Sequence, residues 1–294
     1  MLSQKIEKKA KELGFDLVGF TKAKAQQKYI KAYREWLGKG LNADMEYMEK
    51  IDPRKNLRKI LPNARSVIVL AVNYFYDQQP LKKNHGRIAR YAYGRDYHKV
   101  IGKKLKELEK FIQENSLNAK TKSFIDTGPV LERALAEQAG LGFIGKNSTL
   151  ITEDFGSWVF LGVIITDIEI VSIKKKVSIN CGDCRRCIEA CPTKAIVAPG
   201  VIDSNRCISY QTIENKREPP LSIKKIIKKT GRIFGCDICQ EICPHNCRQK
   251  IRTHRSPKIA GDQVPLEKKS EKEFLEKFAG SPLMRAKMLK NPSL

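Results

Sequence analysis

Cys181, Cys184, Cys187 and Cys191, the last followed by Pro192, have the spacing C-x2-C-x2-C-x3-C-P. Thiolates spaced this way wrap cubane [4Fe-4S] clusters, three on one cluster and the fourth reaching a second. A second half supplies Cys207, then Cys236, Cys239 and Cys243 followed by Pro244, the same run with its first spacer stretched to 28 residues. The crossing rule assigns Cys181, Cys184, Cys187 and Cys243 to one cluster and Cys191, Cys207, Cys236 and Cys239 to the other. Zinc is the competing reading of C-x2-C pairs, but four ligands complete a zinc site and it has no use for the C-x3-C-P closure. Cys247, the ninth cysteine, is left over and reads as a surface or packing thiol.

Two clusters make a one-electron relay, and the roughly 170 residues ahead of them are far more than a bacterial ferredoxin needs. That upstream segment should hold a redox partner. Its G-x-G-x-x-G run, Gly140 to Gly145, follows a helix pattern instead of a strand, so a dinucleotide fingerprint fails on context. The glycines read as a helix C-cap and a close-packed loop leading to Lys146, Asn147 and Ser148. Asp96-Tyr97-His98 approaches the D-x-H-x-x-G pattern of proteins that place a histidine on the cobalt of cobalamin, but Gly102 is one residue too far and Asp96 suits a helix N-cap. Arg87, Arg90 and Arg95 interleave with tyrosines, either as a phosphate and base-stacking surface or as a solvated loop. Asp126 closes a short strand. It is either the N-cap of the next helix or a carboxyl in a ligand site, where an apolar pocket would raise its pKa and let it act as a general acid.

These groups must be positioned by a scaffold, and apolar patterning supplies one. Helices are expected over Lys5 to Gly14, Ala23 to Trp36, Tyr97 to Asn115 and Pro129 to Ala139; strands are expected over Phe15 to Phe20, Ser66 to Tyr74, Ser123 to Ile125 and Trp158 to Thr166. Residues 1–172 therefore read as a mixed α/β domain. Residues 173–255 hold all nine cysteines and few apolar runs, as a ferredoxin-like 2[4Fe-4S] domain would, and 256–294 form a charged peripheral extension with one helical stretch, Glu271 to Phe278. The fold class is α+β. With 41% hydrophobic residues the chain can bury a core, which argues against disorder. No apolar run is long enough to span a bilayer and Met1 to Leu13 has no signal-peptide pattern, so a cytoplasmic, membrane-free protein is expected. A formal charge of +24, from 56 Lys+Arg against 32 Asp+Glu, favours a polyanionic partner. Residues 216–255 alone carry 11 Lys+Arg and three Asp+Glu, including Lys224, Lys225, Lys228 and Lys229.

Taken together, ARYAYGRDYH (89–98), IDTGPVLERALAEQAGLGFIGKNSTLI (125–151), GSWVFLGVIITD (156–167), the two cysteine runs and RCISYQTIE (206–214) resemble the epoxyqueuosine reductase family. The resemblance implies an oxidoreductase that deoxygenates epoxyqueuosine to queuosine in the anticodon loop of tRNA, using cobalamin reduced through two [4Fe-4S] clusters by an external low-potential donor. It implies cobalamin without a histidine on cobalt in the upstream domain, Asp126 as proton donor, and Arg58, Lys146, Asn147 and Ser148 at the cofactor. The arginines 87, 90 and 95 and the lysines 224, 225, 228 and 229 would face the tRNA of a monomeric enzyme. A small-molecule corrinoid reductase of the dehalogenase kind and a plain iron–sulfur electron carrier are the alternatives. Many family members continue into a helical-repeat extension, so a short form is expected here, and His245 stands where the family often has an aromatic residue.

Overall fold

A computed structural model of the chain describes residues 1–171, 177–247, 263–265, 273 and 281–285. In chain order its upstream half comprises α1 (Leu2–Glu12), β1 (Leu17–Lys22), α2 (Gln27–Gly38), α3 (Ile51–Lys55), β2 (Ser66–Asn73), β3 (His85–Ile88), α4 (Tyr97–Glu114), β4 (Thr121–Phe124), α5 (Glu132–Gln138), β5 (Phe143–Ile144), β6 (Leu150–Ile151) and β7 (Val159–Thr166). Strands β1, β2, β7 and β4 form one sheet in that order, antiparallel at every pairing.

Side-chain alternation along the central strands divides them between two cores. Ile68 and Leu70 of β2 and Ile164 of β7 face one way, onto Ile6 and Ala10 of α1 and Ile101, Leu105, Leu108 and Ile112 of α4. Val67, Val69, Val163 and Ile165 face the other way, onto Leu135 and Ala136 of α5, its C-cap Ala139 and Leu150. A strand covered on both faces reads as a continuous apolar run, which is why SVIVLAV carries no polar alternation. Each fully buried aliphatic side chain contributes about 1.5–3 kcal/mol. Helix α4 begins where Asp96 accepts the His98 N–H, as its N-cap, and its buried residues recur at helical spacing.

The cluster half comprises α6 (Arg186–Ala190), β8 (Ile196–Ala198), β9 (Val201–Ile202), α7 (Ile208–Ile213), α8 (Leu221–Thr230), β10 (Arg232–Phe234) and α9 (Ile238–Glu241). Its seam with the upstream half is a small sheet: β3 pairs in parallel with β10 and, on its other edge, antiparallel with β11 (Gln263–Pro265). Leu283 is buried in the same apolar cluster as Ile88, Tyr93, Ile233 and Phe234. Parts of the 256–294 segment thus pack onto the seam, which a peripheral extension would not do. The stretch Glu271 to Phe278 lies outside the described residues apart from Glu273.

Candidate active site

Two loops at the sheet's margin bring the candidate groups together. The first follows β4. Asp126 is not the N-cap of α5, because five residues separate it from the helix and Leu131 holds the cap position. It adopts the left-handed backbone conformation with φ +57°, which a non-glycine residue takes only when its surroundings hold it there. The holding contacts are specific. The Asp126 N–H donates to Glu132 Oε1 at 2.8 Å, and Tyr97 donates its phenol to Asp126 Oδ2 at 2.6 Å. Both Tyr97 and His98 come from the first turn of α4, so the N-cap at Asp96 sets where they point. The Tyr97 ring stacks on Phe160 of β7 at 4.4 Å and on the His98 ring at 4.1 Å. His98 Nδ1 lies 2.7 Å from Asp96 Oδ1, and its Nε2 faces Asp126 Oδ2 at 3.5 Å, an ion-pair distance too long for a full hydrogen bond.

The electrostatics correct one expectation. An apolar pocket would have raised the pKa of Asp126, but the group is held below its ordinary value, first by His98, against burial, and then by the Tyr97 hydroxyl. Its side chain is 63% exposed although protein surrounds it on several sides, so the effect of its polar neighbours outweighs desolvation. Reciprocally, His98 is raised, foremost by Asp126. The carboxyl kept neutral near neutrality is Glu132: burial and then the charge of Asp126 push it up to about 8. Tyr97 is raised strongly by burial and Asp126, so its phenol keeps its proton.

The second loop is the glycine run after α5. Gly140, at φ +76°, follows the helix's last turn, and a Cβ on Gly142 would collide with the Ile151 carbonyl. These glycines serve helix termination and close packing of the β5–β6 hairpin. The loop then spans the molecule's two halves. The Lys146 N–H reaches Cys181 Sγ at 3.5 Å and its Nζ donates to the Gly182 carbonyl at 2.7 Å. Asn147, 2% exposed, donates to the Cys239 carbonyl at 3.4 Å. Ser148 accepts from Arg133, the neighbour of Glu132, through both its carbonyl and, at 3.2 Å, its hydroxyl. Lys146 and Asn147 therefore touch loops of different cysteine sets, while Ser148 connects back towards Asp126.

All nine cysteines are free thiols. Burial first, then the thiols of Cys181, Cys187 and Cys184, push Cys243 up to about 11. Cys207 lies beside Cys191, and Cys236 and Cys239 lie beside Cys207. Cys239 also lies near Cys187 of the first set, so the two groups of cysteines adjoin. Among the described residues no three His, Cys, Asp or Glu side chains converge on a single ion. Sulfur acceptors are also supplied with donors: the Ala195 N–H lies 3.2 Å from Cys191 Sγ, as anionic cluster sulfur requires. This donor set fits two [4Fe-4S] clusters. Both nitrogens of His98 face carboxylates, Asp96 on one side and Asp126 on the other.

The basic candidates divide. Arg95, Lys225, Lys228 and Lys229 are exposed, as is Arg58 on the turn after α3; Lys224 is 19% exposed and pairs with Glu218 at 3.7 Å. Arg87 is half-buried and spends its guanidinium on Gln78 and the Gln79 carbonyl. Arg90 corrects the sequence reading: it is 9% exposed, its NH1 lies 2.9 Å from Glu241 and 3.4 Å from Asp237, and its guanidinium covers the Trp158 ring at 4.6 Å. Its charge is used inside the seam and is withdrawn from any phosphate. His245 meets the Phe143 ring edge-on and its Nε2 lies 3.0 Å from the Asn180 carbonyl. Sequence reasoning missed Tyr97 and Glu132 as partners of Asp126. The hydroxyl and the carboxyl were visible, but neither has a motif spacing to it.

Comparison with known proteins places the chain in a family. A family model described as Epoxyqueuosine reductase QueG, DUF1730, matches residues 54–127, and a 4Fe-4S double cluster binding domain model matches residues 180–246. A Synechocystis protein named epoxyqueuosine reductase is 48% identical over 217 residues, 73% of this chain and 74% of that protein. The structure of epoxyqueuosine reductase from Streptococcus thermophilus superposes with a TM-score of 0.88 at 35% identity, covering 98% of this chain and 78% of that one. An epoxyqueuosine reductase solved with an epoxyqueuosine-modified tRNA-Tyr stem loop gives 0.85 at 32% identity, covering 98% and 80%.

Proposed function

The chain belongs to the epoxyqueuosine reductase family, and we infer that it is an oxidoreductase that converts epoxyqueuosine to queuosine at the wobble position of tRNA, with Asp126 protonating the departing oxygen. It works with two [4Fe-4S] clusters and cobalamin. Cobalamin, when bound, supplies the reducing power at the epoxide carbon, fed one electron at a time through the clusters from an external low-potential donor.

The protein's own residues position, relay and protonate. Cys181, Cys184, Cys187 and Cys243 would hold one cluster and Cys191, Cys207, Cys236 and Cys239 the other. Lys146 and Asn147 anchor both cluster loops to the loop that continues to Ser148, so the cofactor edge and the clusters are held in one frame. Arg58 is assigned to the cofactor's periphery. Asp126, at a positive φ with its Oδ2 held by Tyr97, would act as the proton carrier. Arg95, Lys225, Lys228 and Lys229, flanked by Arg87 and Lys224, would bind phosphates, and binding should weaken steeply with salt. The working division is a catalytic domain over 1–172, a cluster domain over 173–255 and a C-terminal segment over 256–294, in a cytoplasmic monomer. Among the described residues no helix is long and apolar enough to cross a membrane.

The observation that carries the assignment is the carboxylate of Asp126 fixed by α4 while the adjoining 146–148 loop touches both cysteine sets. Asp126→Ala should lower turnover of epoxyqueuosine-containing tRNA by about a hundredfold or more, with cluster and cobalamin absorption unchanged. Near-normal queuosine formation by that variant, read by nucleoside mass analysis, would reject the role.

A further inference from the structure

Taking an epoxide oxygen off as water consumes two electrons and two protons: two C–O bonds break, one C=C bond forms, and the oxygen leaves with both hydrogens. A carboxyl carries one proton at a time, and Asp126 is held ionised between turnovers. We propose that His98 is the proton store that charges Asp126 for each delivery, with Asp96 orienting the imidazole. The inference rests on Asp126 being the acid of the reaction.

The geometry is that of a relay with one step left open. Asp96 Oδ1 accepts the backbone N–H of His98 at 3.0 Å and lies 2.7 Å from its Nδ1, which fixes the hydrogen of Nδ1 on the Asp96 side. The Tyr97 ring stacked at 4.1 Å limits rotation of the imidazole. Nε2 is thereby left pointing at Asp126 Oδ2, 3.5 Å away, buried and without a hydrogen bond. A short closing movement makes that hydrogen bond. The imidazolium then gives its Nε2 proton to the Asp126 carboxylate, and the carboxylic acid so formed passes a proton on to the substrate oxygen, returning to the carboxylate. Neutral His98 keeps its Nδ1 hydrogen on Asp96, and its buried Nε2 regains a proton from water when the Asp126 side chain, 63% exposed, swings away from it. Repeating the transfer supplies the second proton; the two electrons come from the external donor.

The other groups facing this pair have different parts. Tyr97 donates a hydrogen bond to the same Oδ2 but holds its proton too tightly to release it. The Glu132 carboxyl accepts the backbone N–H of Asp126 and does not bond its carboxylate, so it offers no direct path. Arg133 is turned to Ser148, and Tyr91 touches the edge of Tyr97. Tyr47 contributes only a distant charge interaction with Asp126. His98 acts through Asp126 and touches no substrate.

Two measurements test this. The chain has four histidines, so the imidazole resonance lost in His98→Gln identifies His98 by NMR in cluster-loaded, cobalamin-free protein. That resonance should titrate above the ordinary value of about 6.5 and move down in Asp126→Asn. In fully loaded enzyme, His98→Gln should lower kcat roughly ten- to a hundredfold, leave KM for tRNA within about twofold, and lose the fall in rate at the pH where His98 titrates. A His98 titration indifferent to Asp126→Asn, or a wild-type pH profile in His98→Gln, would overturn the relay. If His98→Gln fails to load its clusters, His98→Asn makes the assignment and the Asp126→Asn titration decides. The outcomes separate: active Asp126→Ala rejects the acid itself, whereas inactive Asp126→Ala beside a wild-type-like His98→Gln rejects only the store.

Discussion

Residues 67 to 71 of β2 have no exposed surface, and both faces of that strand are covered by helices. Helices α6 and α9, which carry Cys187 and Cys239, bury no residue and run for only five and four residues. Helices that short are unstable alone in water and here have no apolar face to hold them. The upstream half is therefore held by apolar burial, and the cluster half by thiolate bonds to iron added to small apolar patches such as Ile208, Ile223 and Ile227. The contrast suits the function, since the sheet fixes Tyr97, Asp126 and the 146–148 loop while the cluster loops wrap an inorganic core.

Stripping the iron should break this comparison most sharply. With the clusters removed by chelator under mild oxidation, amides of α6, α7 and α9 should lose essentially all protection from hydrogen exchange, while those of β2 and β7 keep theirs. Turnover should vanish. Equal loss of protection in both halves would show that they form one cooperative unit and that the contrast in burial does not translate into separate stability.

The seam between the halves is the next place to cut. Arg90 reaches from the upstream half to Asp237, which lies between two cluster cysteines and is 2% exposed, and Arg232 shares Glu241 with it. Burial pushes the Asp237 carboxyl up, opposed by the Arg90 N–H and guanidinium. Arg90→Gln leaves that buried carboxyl with only the Arg232 charge to oppose its burial, a loss of at most about 3–5 kcal/mol, the cost when a buried pair is broken from one side. A lowered denaturation midpoint for the cluster-loaded protein is expected, with cluster absorption lost before the sheet's far-ultraviolet signal. An unchanged midpoint would mean that β3–β10 pairing and Phe234 suffice to hold the seam.

The same contrast explains what was legible in the sequence. Runs such as SVIVLAV and WVFLGVIIT announce strands because burial on both faces leaves a local pattern, and the cysteine spacing announces clusters because ligand geometry is local. The seam left no such trace: β3 pairs with a strand some 145 residues away, and Arg90, within an Arg–Tyr run, reads as a surface residue until Asp237 is seen beside it. The site was half legible. Asp126 was visible after its strand, but the rule that ligands collect at the carboxyl ends of parallel strands does not apply to an antiparallel sheet, and its true environment comes from α4. A pocket argument gave the wrong sign for its pKa because it could not include His98.

Glu132 gives the most local test, confined to the upstream half. Its ordinary pKa near 4.5 is raised in the folded protein to about 8, so between those values the folded state binds a proton that the unfolded state has released. Stability from this group is present below about 4.5 and declines as pH rises to about 8. Glu132→Gln preserves an oxygen to accept the Asp126 N–H, which holds the loop at its positive φ, but removes the ionisation. The variant should therefore match the parent at low pH and be the more stable of the two near pH 8, with the β4–α5 loop showing the difference in amide exchange. A stability profile that stays parallel to the parent's across that window would mean that Glu132 is ionised in the folded protein and that its charge, not its neutrality, shapes the surroundings of Asp126.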